Sequence, residues 1–95
     1  MADKAWKARE RQVARFFNGE RNPLSGRNSK HTAADVIHPT LFIECKLRQK
    51  HTAITLWDET KELADKEEKT PVVVLCEKGR PGFWILTHSD DLTKL

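Results

Sequence analysis

Three acids and one lysine are the residues of this chain whose types and spacing bear on chemistry. Asp35 lies in a short apolar run, "AADVIH" (33–38), and Glu44 and Lys46 lie in a second, "LFIECKL" (41–47). Side chains alternate faces along a strand, so Phe42, Glu44 and Lys46 share one side. Leu41, Ile43, Cys45 and Leu47 take the other. "HPT" between the runs reads as a turn, with Pro39 supplying a fixed φ. A two-residue loop at Pro39-Thr40 sets Val36 opposite Ile43 and Asp35 opposite Glu44. A four-residue loop keeps that register and a three-residue loop shifts it. Carboxylates so placed have Cβ atoms roughly 5 Å apart and repel each other. A divalent cation between them removes the conflict, and a hard ion such as Mg²⁺ prefers oxygen ligands.

Glu10 is the third acid. Residues 3–18 have helical spacing, with Trp6, Val13 and Phe17 forming an apolar stripe that Ala5, Ala14 and Phe16 widen. Glu10 falls in the middle of that stripe, four residues after Trp6 and three before Val13. A buried carboxylate needs a partner. A core-facing arginine or lysine would satisfy it, and so would a metal beneath the helix. The helix alone leaves both open. Three carboxylates beside a lysine suit metal-assisted phosphodiester hydrolysis. The ion polarises the phosphoryl oxygen and lowers the pKa of a bound water. Lys46 orients that water or offsets charge that builds on the phosphate.

Charge distribution points the same way. The net charge of +3 is uneven: residues 1–50 hold 11 Lys and Arg against 5 Asp and Glu, whereas residues 51–95 hold 6 against 9. A basic half suggests an anionic partner, most commonly nucleic acid. Arg27, Lys30, Arg48 and Lys50 flank the acids and suit phosphate contact as well as solvated surface. No P-loop, nucleophile elbow or cysteine–histidine constellation is present, so no nucleotide cofactor is expected. Cys45 and Cys76 read as buried reduced thiols. His31, His38, His51 and His88 lack metal-ligand spacing, and His38 and His88 read as structural.

The elements that must position these groups follow from local pattern. Asn18-Gly19 ends the first helix, with Gly19 as its cap. "ERNPLSGRNSKHT" is a loop with a short strand near 20–22. Strands follow at 33–38 and 41–48. A second helix runs from about 53 to 69, capped by Thr52, with Ala53, Leu56, Trp57, Thr60, Leu63 and Ala64 inward. Glu62→Lys66 and Asp65→Lys69 form its outward pairs. "VVVLC" (72–76) reads as a central strand covered on both faces. "GRPG" (79–82) lies in a hairpin turn before the last strand at 83–88. Ser89-Asp90-Asp91 is suited to capping a terminal turn. Ninety-five residues suit a single domain, 1–95, of α/β class with one mixed central sheet flanked by helices. No stretch approaches a membrane span. "MADKAWKARE" lacks the apolar core of a signal peptide, so a cytoplasmic location is expected.

Asp35, an eight-residue gap and then Glu44-Cys45-Lys46 resembles the D…(D/E)-X-K signature of the PD-(D/E)XK nuclease superfamily. Glu10 on the first helix and "NPLSGR" before the aspartate resemble the archaeal-type Holliday-junction resolvases and their phage relatives. "FIECKLRQKH…W" is also similar to VRR-type nuclease domains. Ala34 stands where the motif name has proline. The resemblance spans essentially the whole chain and implies a restriction-endonuclease-like αβββαβ core. It implies a metal site of Asp35, Glu44, the backbone carbonyl of Cys45, and Glu10 directly or through water. Lys46 would be the catalytic lysine, and Arg21 and Ser25 would act near the scissile phosphate or the DNA backbone. The implied activity is a Mg²⁺-dependent endonuclease, with Mn²⁺ able to substitute, that leaves 5′-phosphate and 3′-hydroxyl ends. Its substrate would be branched DNA, and two symmetric cuts in a four-way junction suit a C₂ homodimer.

Each group also has a plainer reading. Lys46 can protect a strand edge, and Asp35 can sit in a hairpin without a ligand. Glu44 can pair with Lys46, although i,i+2 neighbours on a strand are expected to lie too far apart for a tight ion pair. A DNA-binding module without catalysis is the corresponding alternative function.

Overall fold

A computed structural model describes residues 2–23 and 32–95, and it packs as two compact units, Met1–Arg48 and Gln49–Leu95. Ser25, Arg27, Lys30 and His31 lie outside the described residues.

Unit 1 begins with helix α1, Ala2–Phe16. Trp6, Glu10, Val13, Ala14 and Phe17 supply its buried and half-buried stripe, while Ala5 and Phe16 remain exposed. The helix stops because Asn18 takes a left-handed conformation, with φ of 56°. The Gly19 amide then donates to the Ala14 carbonyl at 2.8 Å. Asn18, not Gly19, is therefore the left-handed cap. Gly19 answers a different demand. A Cβ there would lie 2.5 Å from the Ile37 carbonyl oxygen and 2.8 Å from Val36 Cγ1, so only glycine admits the neighbouring strand.

Strands β1 (Glu20–Arg21) and β2 (Val36–Ile37) pair antiparallel, Glu20 opposite Ile37 and Arg21 opposite Val36. Val36 also forms an antiparallel bridge to Ile43, the register expected from a two-residue loop. His38 holds that loop. Its Nδ1 accepts from the amides of Thr40 (3.1 Å) and Leu41 (3.0 Å). Ala14, Val36 and Ile43 form the core, with Val13, Phe17 and Cys45 packed around them.

The strand expected over 41–48 reduces to that one bridge. Beyond Ile43, the Cys45 amide donates to the Asp35 carboxylate at 2.6 Å, so a side chain takes the place of a ladder partner. Leu41, Phe42 and Leu47 are exposed as a result, and the run is not a buried strand.

Unit 2 opens with helix α2, Thr52–Lys66, whose N-cap is His51 rather than Thr52. Trp57, Thr60 and Ala64 are half-buried as expected, but Ala53, Leu56 and Leu63 are exposed, and Thr55 turns inward instead. Its surface pair is Lys61–Asp65 at 2.9 Å, while Lys69 pairs with Glu67 at 3.1 Å. Strands β3 (Val73–Leu75) and β4 (Trp84–Leu86) pair antiparallel through a turn in which Gly79 and Gly82 have φ of 81° and 79°. Glycine tolerates that conformation without strain. Among the described residues β3 pairs with β4 alone rather than lying centrally, and Val74 is half exposed. Cys76 follows the end of β3 and is an exposed thiol, whereas Cys45 is half-buried; neither is fully buried as expected. A 3₁₀ helix, Ser89–Lys94, closes the unit. The cap is His88, whose Nδ1 accepts from the Asp90 amide.

The described chain is thus mixed α/β, with two small antiparallel sheets in place of a single mixed sheet. Strands of two or three residues are too short to build the expected central layer. Among the described residues no helix is long and apolar enough to cross a membrane.

Candidate functional site

Asp35 sits where β2 begins, and its backbone is tied on both sides. Its amide donates to the Ile43 carbonyl at 3.0 Å, and its carbonyl accepts from the Asn22 amide at 2.9 Å. Its carboxylate accepts from the Cys45 amide. The chain thus fixes Asp35 before any ligand is considered.

Glu10 reaches the same place from α1. It is fully buried, at 0% exposure, and lies in the i,i+4 row of Trp6 and Ala14. Arg21 Nε donates to its Oε1 at 2.9 Å, and the Arg21 guanidinium lies 5.6 Å from the Trp6 ring centroid. The reading of a core-facing arginine is the one the structure shows: Arg21 satisfies Oε1. Oε2 is buried and has no hydrogen-bond partner among the described residues. Burial pushes the Glu10 pKa above its ordinary 4.5, and the nearby Asp35 carboxylate pushes it further. Arg21 opposes the rise. A hydrogen bond from Glu10 to Asp35, which only the protonated acid can donate, adds to it. As a carboxylate, Glu10 thus feels the like charge of the Asp35 carboxylate nearby.

Cys45 senses the whole cluster. Burial raises its thiol pKa above 9.0, and the charges of Asp35, Glu10 and Glu44 raise it further. Its sulfur stays protonated and weakly nucleophilic at neutral pH.

Glu44 and Lys46 stand apart from the buried pair. Both are exposed, and Lys46 Nζ lies 3.2 Å from Glu44 Oε2. The expectation that i,i+2 neighbours lie too far apart for an ion pair is incorrect. The segment is irregular here, and the long lysine chain spans the gap. Arg48 and Lys50 are exposed.

The fit to a divalent cation is partial. Among the described residues no three His, Cys, Asp or Glu side chains converge on one point. Glu10 and Asp35 would offer a cation two carboxylates, one of them already paired with Arg21. Mg²⁺ keeps several waters and needs only one or two carboxylates from the protein.

Asn22 was not marked by the sequence. It is buried, and Nδ2 donates to the carbonyls of Thr32 and Ala34, both at 3.0 Å. An Asn before Pro23 in a polar stretch reads as loop, and no periodicity marks it. Comparison with protein families, with curated proteins and with solved structures finds no match.

Proposed function

We propose that this chain is a divalent-metal-dependent endodeoxyribonuclease of PD-(D/E)XK type that acts on branched DNA, with a four-way junction cut by a homodimer as the favoured case. One observation carries the reading. A fully buried carboxylate, Glu10, leaves one oxygen without a donor beside the carboxyl of Asp35. Like charges so placed oppose each other, and a proton or a cation between them would relieve what Arg21 leaves uncompensated. The basic balance of residues 1–50 supports a polyanionic substrate.

In this reading Asp35 and Glu10 would hold Mg²⁺ or Mn²⁺, with Glu44 and the Cys45 carbonyl as the further ligands that the resemblance implies; the ion would supply a Lewis acid and an activated water. Lys46 leaves Glu44 for the phosphate, where it offsets the charge that develops on the phosphoryl oxygens. That exchange is easy, because an exposed ion pair contributes about 0–1 kcal/mol. Arg21 has five N–H donors, one of which Glu10 uses. Its planar guanidinium suits a phosphate contact at the edge of the site. Ser25, Arg27, Lys30, Arg48 and Lys50 are the further DNA-contacting residues of this reading, on their charge or on the resemblance alone.

The test compares four-way, flap, single-stranded and linear duplex DNA with Mg²⁺ and with EDTA. Cleavage of branched DNA in Mg²⁺ alone supports the reading. Cleavage in EDTA removes the metal mechanism, and metal-dependent cutting confined to linear duplex removes the junction claim. Cutting of flaps but not four-way junctions favours a VRR-type specificity.

A second reading has its own support. Glu10 is paired with Arg21 and Glu44 with Lys46, so two of the acids carry counter-charges within the protein. A non-catalytic DNA-binding module would be built that way. It would bind junctions equally well in EDTA and cut none.

A further inference from the structure

We infer that Asn22 is the positioning residue for Asp35 and so sets how tightly the Glu10–Asp35 pair holds a divalent cation; the inference rests on the reading of that pair given above. Asn22 is 1% exposed, among the most buried polar side chains of the described chain. It donates to three carbonyls of one short segment. Its main-chain amide reaches the Asp35 carbonyl at 2.9 Å, and Nδ2 reaches those of Thr32 and Ala34 at 3.0 Å each. Both hydrogens of the side-chain amide are thereby used.

The three acceptors bracket the peptide that enters Asp35. Thr32 closes the bracket from its own side, since its Oγ1 accepts from the Ala34 amide at 3.1 Å. Two bonds on the far side complete it, from the Asp35 amide to Ile43 and from the Cys45 amide to the carboxylate. Without Asn22, the second set would remain but the entering peptide could pivot about it.

A buried amide is a costly way to hold a loop. Its donors and acceptor must all be matched, and serine or alanine would avoid the burden. β1 is two residues long and ends at Arg21, so its ladder stops short of residues 32–34. A side chain that mimics a strand partner secures them instead. Arg21, directly before Asn22, is bonded to Glu10. One tripeptide, 21–23, thus fixes Glu10 through its first residue and Asp35 through its second. The separation of the two carboxyls is set there. A group that orients a metal-binding carboxylate without touching the ion typically changes affinity about 10–100-fold when removed.

The experiment titrates Mn²⁺ calorimetrically into the full chain and into Asn22→Ala, with Gly19→Ala as a control. Gly19→Ala disturbs the α1–β2 contact without removing any hydrogen-bonding group of the bracket. The expected result is a Kd for Mn²⁺ about 10-fold or more weaker in Asn22→Ala, with Gly19→Ala matching the native chain despite lower thermal stability. A native-like circular dichroism spectrum with unchanged affinity in Asn22→Ala overturns the inference, as does equal weakening in Gly19→Ala. If Asn22→Ala does not fold, Thr32→Val decides, because it removes the acceptor of the Ala34 amide: weaker affinity supports the bracket and unchanged affinity overturns it. Absence of Mn²⁺ binding by the native chain defeats the cation reading itself, and this inference with it. Binding that ignores the bracket defeats the inference alone.

Discussion

Replacing Glu10 by glutamine separates a cation seat from a structural ion pair, because the two predict opposite signs. The glutamine side chain keeps an oxygen where Oε1 accepts from Arg21 Nε. It puts an N–H in place of the orphaned Oε2, with the Asp35 carboxylate nearby as an acceptor. The new bond to a charged acceptor is worth about 1.5–3 kcal/mol. The Arg21 bond loses its charge on one side and weakens by about 1 kcal/mol, since charge-assisted bonds are about twice as strong as neutral ones. The metal-free variant should therefore be more stable than the native chain by about 1 kcal/mol, which raises Tm by about 4–8 °C for a domain of this size. Differential scanning fluorimetry in EDTA reads this directly.

The pH dependence follows from the same group. The Glu10 pKa is raised in the folded state, so the native protein holds a proton that the unfolded chain has released. Its contribution to stability is complete below about 4.5 and is lost as pH rises through the higher native value. The advantage of Glu10→Gln should thus shrink from pH 7 toward pH 4.5. Added Mg²⁺ should stabilise the native chain and leave the variant unmoved. A variant that loses about 3–5 kcal/mol in EDTA, as when a buried ion pair is broken, would refute the reasoning.

Asp35→Asn and Lys46→Ala should each abolish cleavage of a four-way junction while leaving binding in a gel-shift assay largely intact; retained cleavage by either removes its assigned role. Lys46→Ala should change stability by no more than about 0.5 kcal/mol in chemical denaturation, because Lys46 and its partner Glu44 are both exposed. Gly19→Ala should destabilise by about 1–3 kcal/mol, since the new methyl meets a carbonyl oxygen and a valine methyl. A denaturation midpoint unchanged in Gly19→Ala would show that β2 gives way there at no cost.

Much of unit 1 is legible from pattern. Glu10 stands out because a charge at the centre of an apolar helical stripe must find a partner. The opposition of Val36 and Ile43 follows from Pro39-Thr40, since loop length fixes register. Other features depend on contacts that no local pattern encodes. Asn18 rather than Gly19 caps α1, because Gly19 is committed to β2, a strand 17 residues further on. The 41–48 run has strand composition, yet Asp35 intercepts the Cys45 amide and ends the pairing. The convergence of Arg21 and Asn22 on the two acids looks in sequence like an ordinary polar loop. Unit 2 shows the same limit: "VVVLC" has the composition of a central strand, but composition does not supply the second neighbour.

The most direct test of the account is a crystal of the chain soaked in Mn²⁺ and measured at the manganese absorption edge. The account predicts an anomalous peak between Glu10 and Asp35, at oxygen-coordination distance from both carboxyls. A map with no peak there, and with Glu10 held by Arg21 alone, would contradict it.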